Sequence, residues 1–234
     1  MLAFSESINL GVDFIELDIH LSSDNIVVVS HDDNLKRMSG IDRKISSLNY
    51  NEIAKINVAH RFVNLDKEKP FEGQNARDEI IAPRLEDFFS TYPNVRKNID
   101  MKSQNPRLVE EFNRLVKKHK QQDKVVVASF FHDTLAEFRK LQPEMAYCAS
   151  QKQSSRFILG KTIFEEYDAL ELPFRLGPLP IISKRNIGRA HNAEKQIIAW
   201  TVNDFKSMQR LTDWGIDGLI TDRPDLAMKV KKSN

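Results

Sequence analysis

Residues 11–35, GVDFIELDIHLSSDNIVVVSHDDNL, restrict what this chain can fold into more than any other stretch. From Ile15 to Ile19 the residues alternate, with Ile15, Leu17 and Ile19 on one face and Glu16, Asp18 and His20 on the other. A strand brings every second side chain to the same side, so Glu16 and Asp18 point together with Cα atoms about 7 Å apart. At that spacing two carboxylates can share one hard divalent cation. A half-buried strand with its polar face in water gives the same alternation. The next segment favours the first reading, because Ile26 to Val29 is an unbroken apolar run, as in a parallel strand buried on both faces. It leads directly into Ser30-His31-Asp32-Asp33, and α/β proteins place their chemistry at the carboxyl ends of such strands.

With 41% hydrophobic residues in 234, the chain can bury a full core, as one large domain or two small ones. Its 35 basic and 33 acidic residues leave a net charge of +2. That balance provides no general attraction to nucleic acid or to a membrane surface. The basic clusters Lys117-Lys118-His119-Lys120 and 229–232 fall where helices should end, and read as solvated helix termini. The single cysteine, Cys148, lies in an apolar run and reads as a buried core thiol. No run approaches the roughly 20 apolar residues of a membrane span, and no secretory signal pattern is present. The expectation is a cytoplasmic protein without stable membrane insertion.

Taken in order, the chain opens on a short helix within residues 1–10. After the first two strands, Ser46-Ser47-Leu48 and Glu52 mark a helix start, with the helix running to about Val58. The polar stretch that follows, to Ala82, is too long for an ordinary loop and reads as an excursion with its own structure or a lid. From residue 83 onward helices and strands alternate. Strands are expected at 95–101, 124–130, 145–149, 169–172, 196–202 and 218–221. Helices are expected at 106–119, 133–141, 157–167, 183–194, 205–214 and 224–232. Strict alternation means parallel strands joined by right-handed crossovers. The first two strands are joined by too few residues for a parallel crossover. The barrel count is then one strand short, or those two form a hairpin-like unit.

Polar residues at the strand ends gather the candidate chemistry: Glu16, Asp18 and His31, then Asp100 and Lys102, Ser129, Glu171, Trp200 to Asn203, and Thr221-Asp222. Asp100 and Lys102 share a strand face, as a cavity-lining acid and cation or as a surface pair. Three carboxylates, a lysine and a histidine at one mouth suit metal-assisted phosphoryl chemistry. Glu171 reads equally as a buried salt-bridge partner. His20 is ambiguous between site and core. His60, His119, His132 and His191 are expected to face solvent.

GVDFIELDIHLSSDNIVVVSHDDNLKRMSG resembles the signature of the glycerophosphodiester phosphodiesterase family, and IIAWTVNDFKSMQRLTDWGIDGLITDRPDLA is similar to that family's last two strand–helix units. APRLEDFF, NIDMKS and VVVASF match intermediate landmarks in the same order, so the similarity covers essentially the whole chain. It implies a single TIM-type (β/α) barrel domain over 1–234 with a small insertion at about 57–82. It implies a divalent cation, Ca²⁺ or Mg²⁺, held by Glu16, Asp18 and Asp100, the last of these often glutamate in the family. Lys102 matches a lysine near the phosphate, Trp200 an aromatic near the glycerol moiety, and His31 one of two catalytic histidines. The other belongs to a His-Arg-Gly triplet closing the family's first strand, and Met1-Leu2-Ala3-Phe4 aligns with residues shortly after it. The first strand is therefore expected to be missing from these residues, which accounts for the strand count and implies impaired turnover by residues 1–234 alone.

The resulting expectation is metal-dependent hydrolysis of a small-molecule glycerophosphodiester to an alcohol and glycerol 3-phosphate, with His31 as acid or base. Two rivals stand beside it. A lysophospholipase D would need an apolar rim on the insertion, around Phe62, Val63 and Phe71. A non-catalytic barrel would bind phosphodiesters or phosphate without turnover.

Overall fold

Helix α1 (Leu2–Leu10) ends at Gly11, whose φ of 86° is a left-handed cap that glycine adopts without strain. The chain then enters β1 (Phe14–Leu21), where Ile15, Leu17 and Ile19 are buried beneath helices while Glu16 and Asp18 point to the opposite face. The structure, a computed structural model, describes residues 1–161 and 166–233. Strand β2 (Val27–Val29) is buried on both faces, yet it pairs antiparallel with β1 through Ile19↔Val29 and Leu21↔Val27. The expected parallel strand is therefore the return arm of a hairpin. The connection is too short for anything else, and burial comes from a satellite core of Val28, Leu35, Ile45 and Ile53.

A short helix α2 (Lys36–Ser39) and a 3₁₀ turn at Ile45–Ser47 precede α3 (Tyr50–Ile53). The helix expected from Ser46 to Val58 is thus shorter and starts later. Asn49 is its cap, accepting from the Glu52 N–H at 3.0 Å while the Glu52 carboxylate accepts the Asn49 N–H at 2.9 Å. Beyond it, the Asn57 amide donates to the carbonyls of Phe71 and Gln74, closing the insertion as an irregular excursion with neither helix nor strand.

The remaining elements alternate as their patterns dictate. They are α4 (Leu85–Thr91), β3 (Arg96–Met101), α5 (Pro106–Lys118), β4 (Val125–Ala128), α6 (His132–Leu141), β5 (Ala146–Tyr147) and α7 (Gln151–Ile158). There follow β6 (Ala169–Pro173), a small hairpin of β7 (Arg175–Leu176) and β8 (Leu179–Pro180), α8 (Lys184–His191), β9 (Gln196–Trp200), α9 (Phe205–Asp213), β10 (Gly218–Leu219) and α10 (Pro224–Ser233). The helix expected at 157–167 is instead α7. It starts at a Ser150–Gln153 capping box and stops before Gly160, whose φ is 77°; residues 162–165 of the expected span lie outside the described residues.

Strands β1, β3, β4, β5, β6, β9 and β10 run parallel in that order, the Cys148↔Ala169 bridge joining β5 to β6. Ala128, Cys148 and Ala169 fill part of the interior with small side chains, leaving room there for polar ones. Among the described residues β10 and β1 do not pair, so the ring is open between them, where the resemblance places a first strand. Beside this seam Lys231 Nζ donates to both oxygens of Asp13 at 2.6 and 2.8 Å. Among the described residues no helix is long and apolar enough to cross a membrane.

Lys97 lies on the helix-facing side of β3, wholly buried, with its ammonium 5.5 Å from the Phe89 ring centre and donating to Gln121 Oε1. Burial, aided by Lys124, lowers its pKa from 10.5 to about 8. Between those values the unfolded chain holds a proton that the folded one lacks, so stability rises with pH across that window. Urea midpoints at pH 7 and 9.5 should show this rise, and Lys97→Met should flatten it. An unchanged slope in the variant assigns the effect to another group.

Candidate active site

The parallel register sets Glu16 of β1 against Asn98 of β3, and Asp18 against Asp100. All four side chains share the inward face, stacked two above two. Lys102 follows β3 directly, its backbone N–H bonded to the Ile19 carbonyl at 3.1 Å. Its ammonium lies between the two aspartates, 2.8 Å from Asp18 Oδ1 and 2.6 Å from Asp100 Oδ2. Across the interior, Glu171 of β6 accepts from Asn98 Nδ2 and from the Cys148 thiol at 3.2 Å. The thiol is buried, as expected of a core cysteine.

Glu16, Asp18, Asp100, Lys102 and Glu171 line one cavity of about 210 Å³ together with His31, Ser129, Phe130, Trp200 and Thr201. Every residue singled out from the sequence as a ligand, acid–base group or substrate contact is on its wall: Glu16, Asp18, Asp100, His31, Lys102 and Trp200. A larger hollow, about 630 Å³, lies outside the sheet between α6 and α7, lined by Arg139, Lys140, Lys152 and Arg156 among others. None of the strand-end acids reaches it.

The aromatic side of the mouth is built from Phe130 and Trp200, whose ring centres lie 6.1 Å apart, with the Lys102 ammonium 4.9 Å from the Phe130 ring. His31 stands at the rim, its side chain 67% exposed. Its Nδ1–H donates to Asp32 Oδ1 at 2.7 Å, and Arg37 Nε donates to the other Asp32 oxygen at 2.6 Å. Arg37 chiefly holds the Asp32 carboxyl below its usual range; burial opposes it, and His31 adds to the lowering. Because Asp32 takes Nδ1–H, Nε2 is the nitrogen left for proton exchange. The sequence alone assigns Asp32 no role. Its adjacency to His31 was the available signal. His20 is buried, its Nε2 3.3 Å from the His31 carbonyl, which settles it as a support for the rim. His119 does not face solvent as expected; it packs 5.8 Å from the Phe89 ring and 3.3 Å from Glu86.

Four carboxyl groups and one ammonium leave the cavity short of positive charge. Burial, then Asp18 and Glu171, push the Glu16 pKa up to about 8. Burial likewise lifts Glu171 to about 7 and raises Asp100 despite the adjacent Lys102. Burial works against the Lys102 charge, yet Asp100 and Asp18 hold its pKa above the ordinary value. Asp100 Oδ1 is buried with no donor. An oxygen-rich, charge-starved site of this kind fits a hard divalent cation. Among the described residues no three carboxylates are gathered at ligand distances, because the Lys102 ammonium sits between Asp18 and Asp100.

A family model described as the glycerophosphoryl diester phosphodiesterase family matches residues 1–226. The chain belongs to that family. A glycerophosphodiester phosphodiesterase of Bacillus altitudinis is 26% identical over 242 residues, covering 99% of this chain and 91% of the relative. Human lysophospholipase D GDPD1 is 27% identical over 252 residues, covering 96% of this chain and 78% of the relative. Among solved structures, a glycerophosphodiester phosphodiesterase from Agrobacterium tumefaciens matches with a TM-score of 0.74 at 19% identity, over 97% of this chain and 90% of its own. An Oleispira antarctica phosphodiesterase, solved in complex with the product sn-glycerol-3-phosphate, matches with a TM-score of 0.75 at 20% identity, over 98% and 90%. The fold is thus a TIM-type barrel here too.

Proposed function

We propose that this chain hydrolyses glycerophosphodiesters to an alcohol and glycerol 3-phosphate, with a divalent cation held by Glu16, Asp18 and Asp100. The observation that carries the reading is the convergence of those acids with Lys102 and His31 on one cavity wall. A cation bound there would supply Lewis-acid stabilisation of phosphate charge. Lys102 offers its ammonium to the non-bridging oxygens, in a pocket where one fixed charge is worth more than in water. Trp200 and Phe130 form an apolar wall for the glycerol carbons. His31, oriented through Nδ1 by Asp32, exchanges a proton at Nε2 with an oxygen of the reacting phosphodiester or with the attacking water. Hydrolysis breaks one P–O ester bond and forms one P–O bond to water, so one proton leaves the water and one reaches the alcohol.

The test is release of glycerol 3-phosphate from glycerophosphocholine, followed with chelator and then with Ca²⁺ or Mg²⁺ restored. Cation-dependent release is expected. Tight phosphodiester binding without turnover under all conditions would instead favour a barrel that only binds.

Lysophospholipase D activity is a second reading, supported by the insertion. Phe62 and Val63 are 50% and 51% exposed, Phe62 lying 5.9 Å from the Phe71 ring. The neighbouring Arg61 bonds to the Met38 and Lys36 carbonyls, which places this apolar rim beside α2 and the Arg37–Asp32–His31 chain. Replacing both Phe62 and Val63 with serine should leave glycerophosphocholine turnover within about twofold. It should lower lysophosphatidylcholine turnover about tenfold, in line with the ~1.5 kcal/mol of one buried apolar side chain. Equal losses on both substrates would remove the rim from substrate recognition.

A further inference from the structure

Asn98 stands two residues before Asp100 on the inward face of β3, in register with Glu16. It is 7% exposed, and its Nδ2 donates to Glu171 Oε1, an oxygen that also receives the Cys148 thiol. That contact decides which way the amide lies, since an acceptor draws the nitrogen and turns the carbonyl oxygen away. Asn98 Oδ1 is buried and has no hydrogen-bond partner, a condition it shares with Asp100 Oδ1 on the same strand face. Nearby, the Lys102 ammonium is already engaged by Asp18 and by the other oxygen of Asp100. Buried polar oxygens are seldom left without partners, and such a gap calls for a functional account.

Hard divalent cations take six to eight oxygen ligands, and asparagine carbonyls are among them. Three carboxylates leave such a shell unfilled. A neutral oxygen adds a ligand without adding to a negative charge that the buried site already holds poorly. We propose that Asn98 Oδ1 is a further ligand of the cation held by Glu16, Asp18 and Asp100, and that Glu171 is the positioning residue that keeps the amide oxygen turned towards it. This rests on the cation reading of the site. A proton carried by Glu16 is the rival partner for Oδ1, and it would make Asn98 irrelevant to cation binding.

The test uses the full chain, titrated calorimetrically with CaCl₂ and MgCl₂ and probed with Eu³⁺ by luminescence lifetimes in H₂O and D₂O. Asn98→Ala should weaken cation affinity about 10–100-fold, the loss typical when groups around a bound metal are removed. Bound Eu³⁺ should then retain about one more water than in the wild type. Glu171→Gln and Glu171→Leu remove the same charge, but only glutamine keeps an acceptor for Asn98. The leucine variant should bind about tenfold more weakly than the glutamine variant. This comparison decides the matter even if Asn98→Ala fails to fold. Affinity within twofold of wild type and an unchanged hydration number in Asn98→Ala, or equal affinities in the two Glu171 variants, overturn the proposal. If the wild-type chain binds neither cation, the cation reading itself fails and this inference falls with it.

Discussion

His31→Ala lowers glycerophosphocholine turnover by about two to four orders of magnitude, the usual contribution of a positioned acid–base group. In barrier terms that is about 3–5 kcal/mol at ~1.4 kcal/mol per tenfold. Calorimetric affinity for Ca²⁺ and Mg²⁺ should stay within about twofold, because His31 stands at the rim and bonds to Asp32 rather than to the acids within. Stability should barely change, since the side chain is largely exposed. A loss below tenfold would make His31 a rim residue and leave proton transfer to another group.

Glu16→Gln has the second large effect, with opposite signs on two measurements. Cation affinity and turnover should fall by more than a hundredfold, because the change removes a charged ligand but almost no volume. Thermal stability in chelator should rise at the same time. The Glu16 pKa stands at about 8 in the fold against an ordinary 4.5, so between those values the folded chain holds a proton that the unfolded chain has lost. Stability contributed by the neutral carboxyl is present below pH 4.5 and is lost as pH rises through 8. Glutamine cannot ionise, and the gain should be largest near pH 8–9. Unfolding followed in chelator from pH 5 to 9 checks the sign. Parallel curves for wild type and variant would show that burial does not penalise Glu16 as the geometry implies.

Much of the site was legible from residue spacing, because the alternation of a strand is rigid. Once β1 and β3 are strands, Glu16 with Asp18 and Asp100 with Lys102 must each share a face. What spacing does not carry is pairing. The apolar run at Ile26–Val29 by itself reads alike in a parallel strand and in a hairpin arm; the short connection to β1 points to the hairpin, and the satellite core behind Val28 and Leu35 accounts for its burial. Asn98 was open to the same alternation argument as Asp100, but an amide draws less notice than an acid until its oxygen proves to be buried alone. The helix misplaced at 157–167 shows a further limit. Ser150 and Gln153 form a capping box, a signal already present in the chain, but the apolar residues at Phe157 and Ile158 drew the expected helix too far along.

If the proposed cation binds, the position of Lys102 would have a kinetic consequence. With its ammonium shared between Asp18 and Asp100, the lysine is the internal counter-ion of the acids it would later serve beside. On the proposed cation reading, uptake would loosen those two contacts and free the ammonium to swing towards the mouth. Phosphate would then find its cationic partner only after the acids had been claimed. Such a chain would bind its two ligands in a compulsory order, and loading would be slow relative to diffusion because each arrival waits on the release of a side chain already in place.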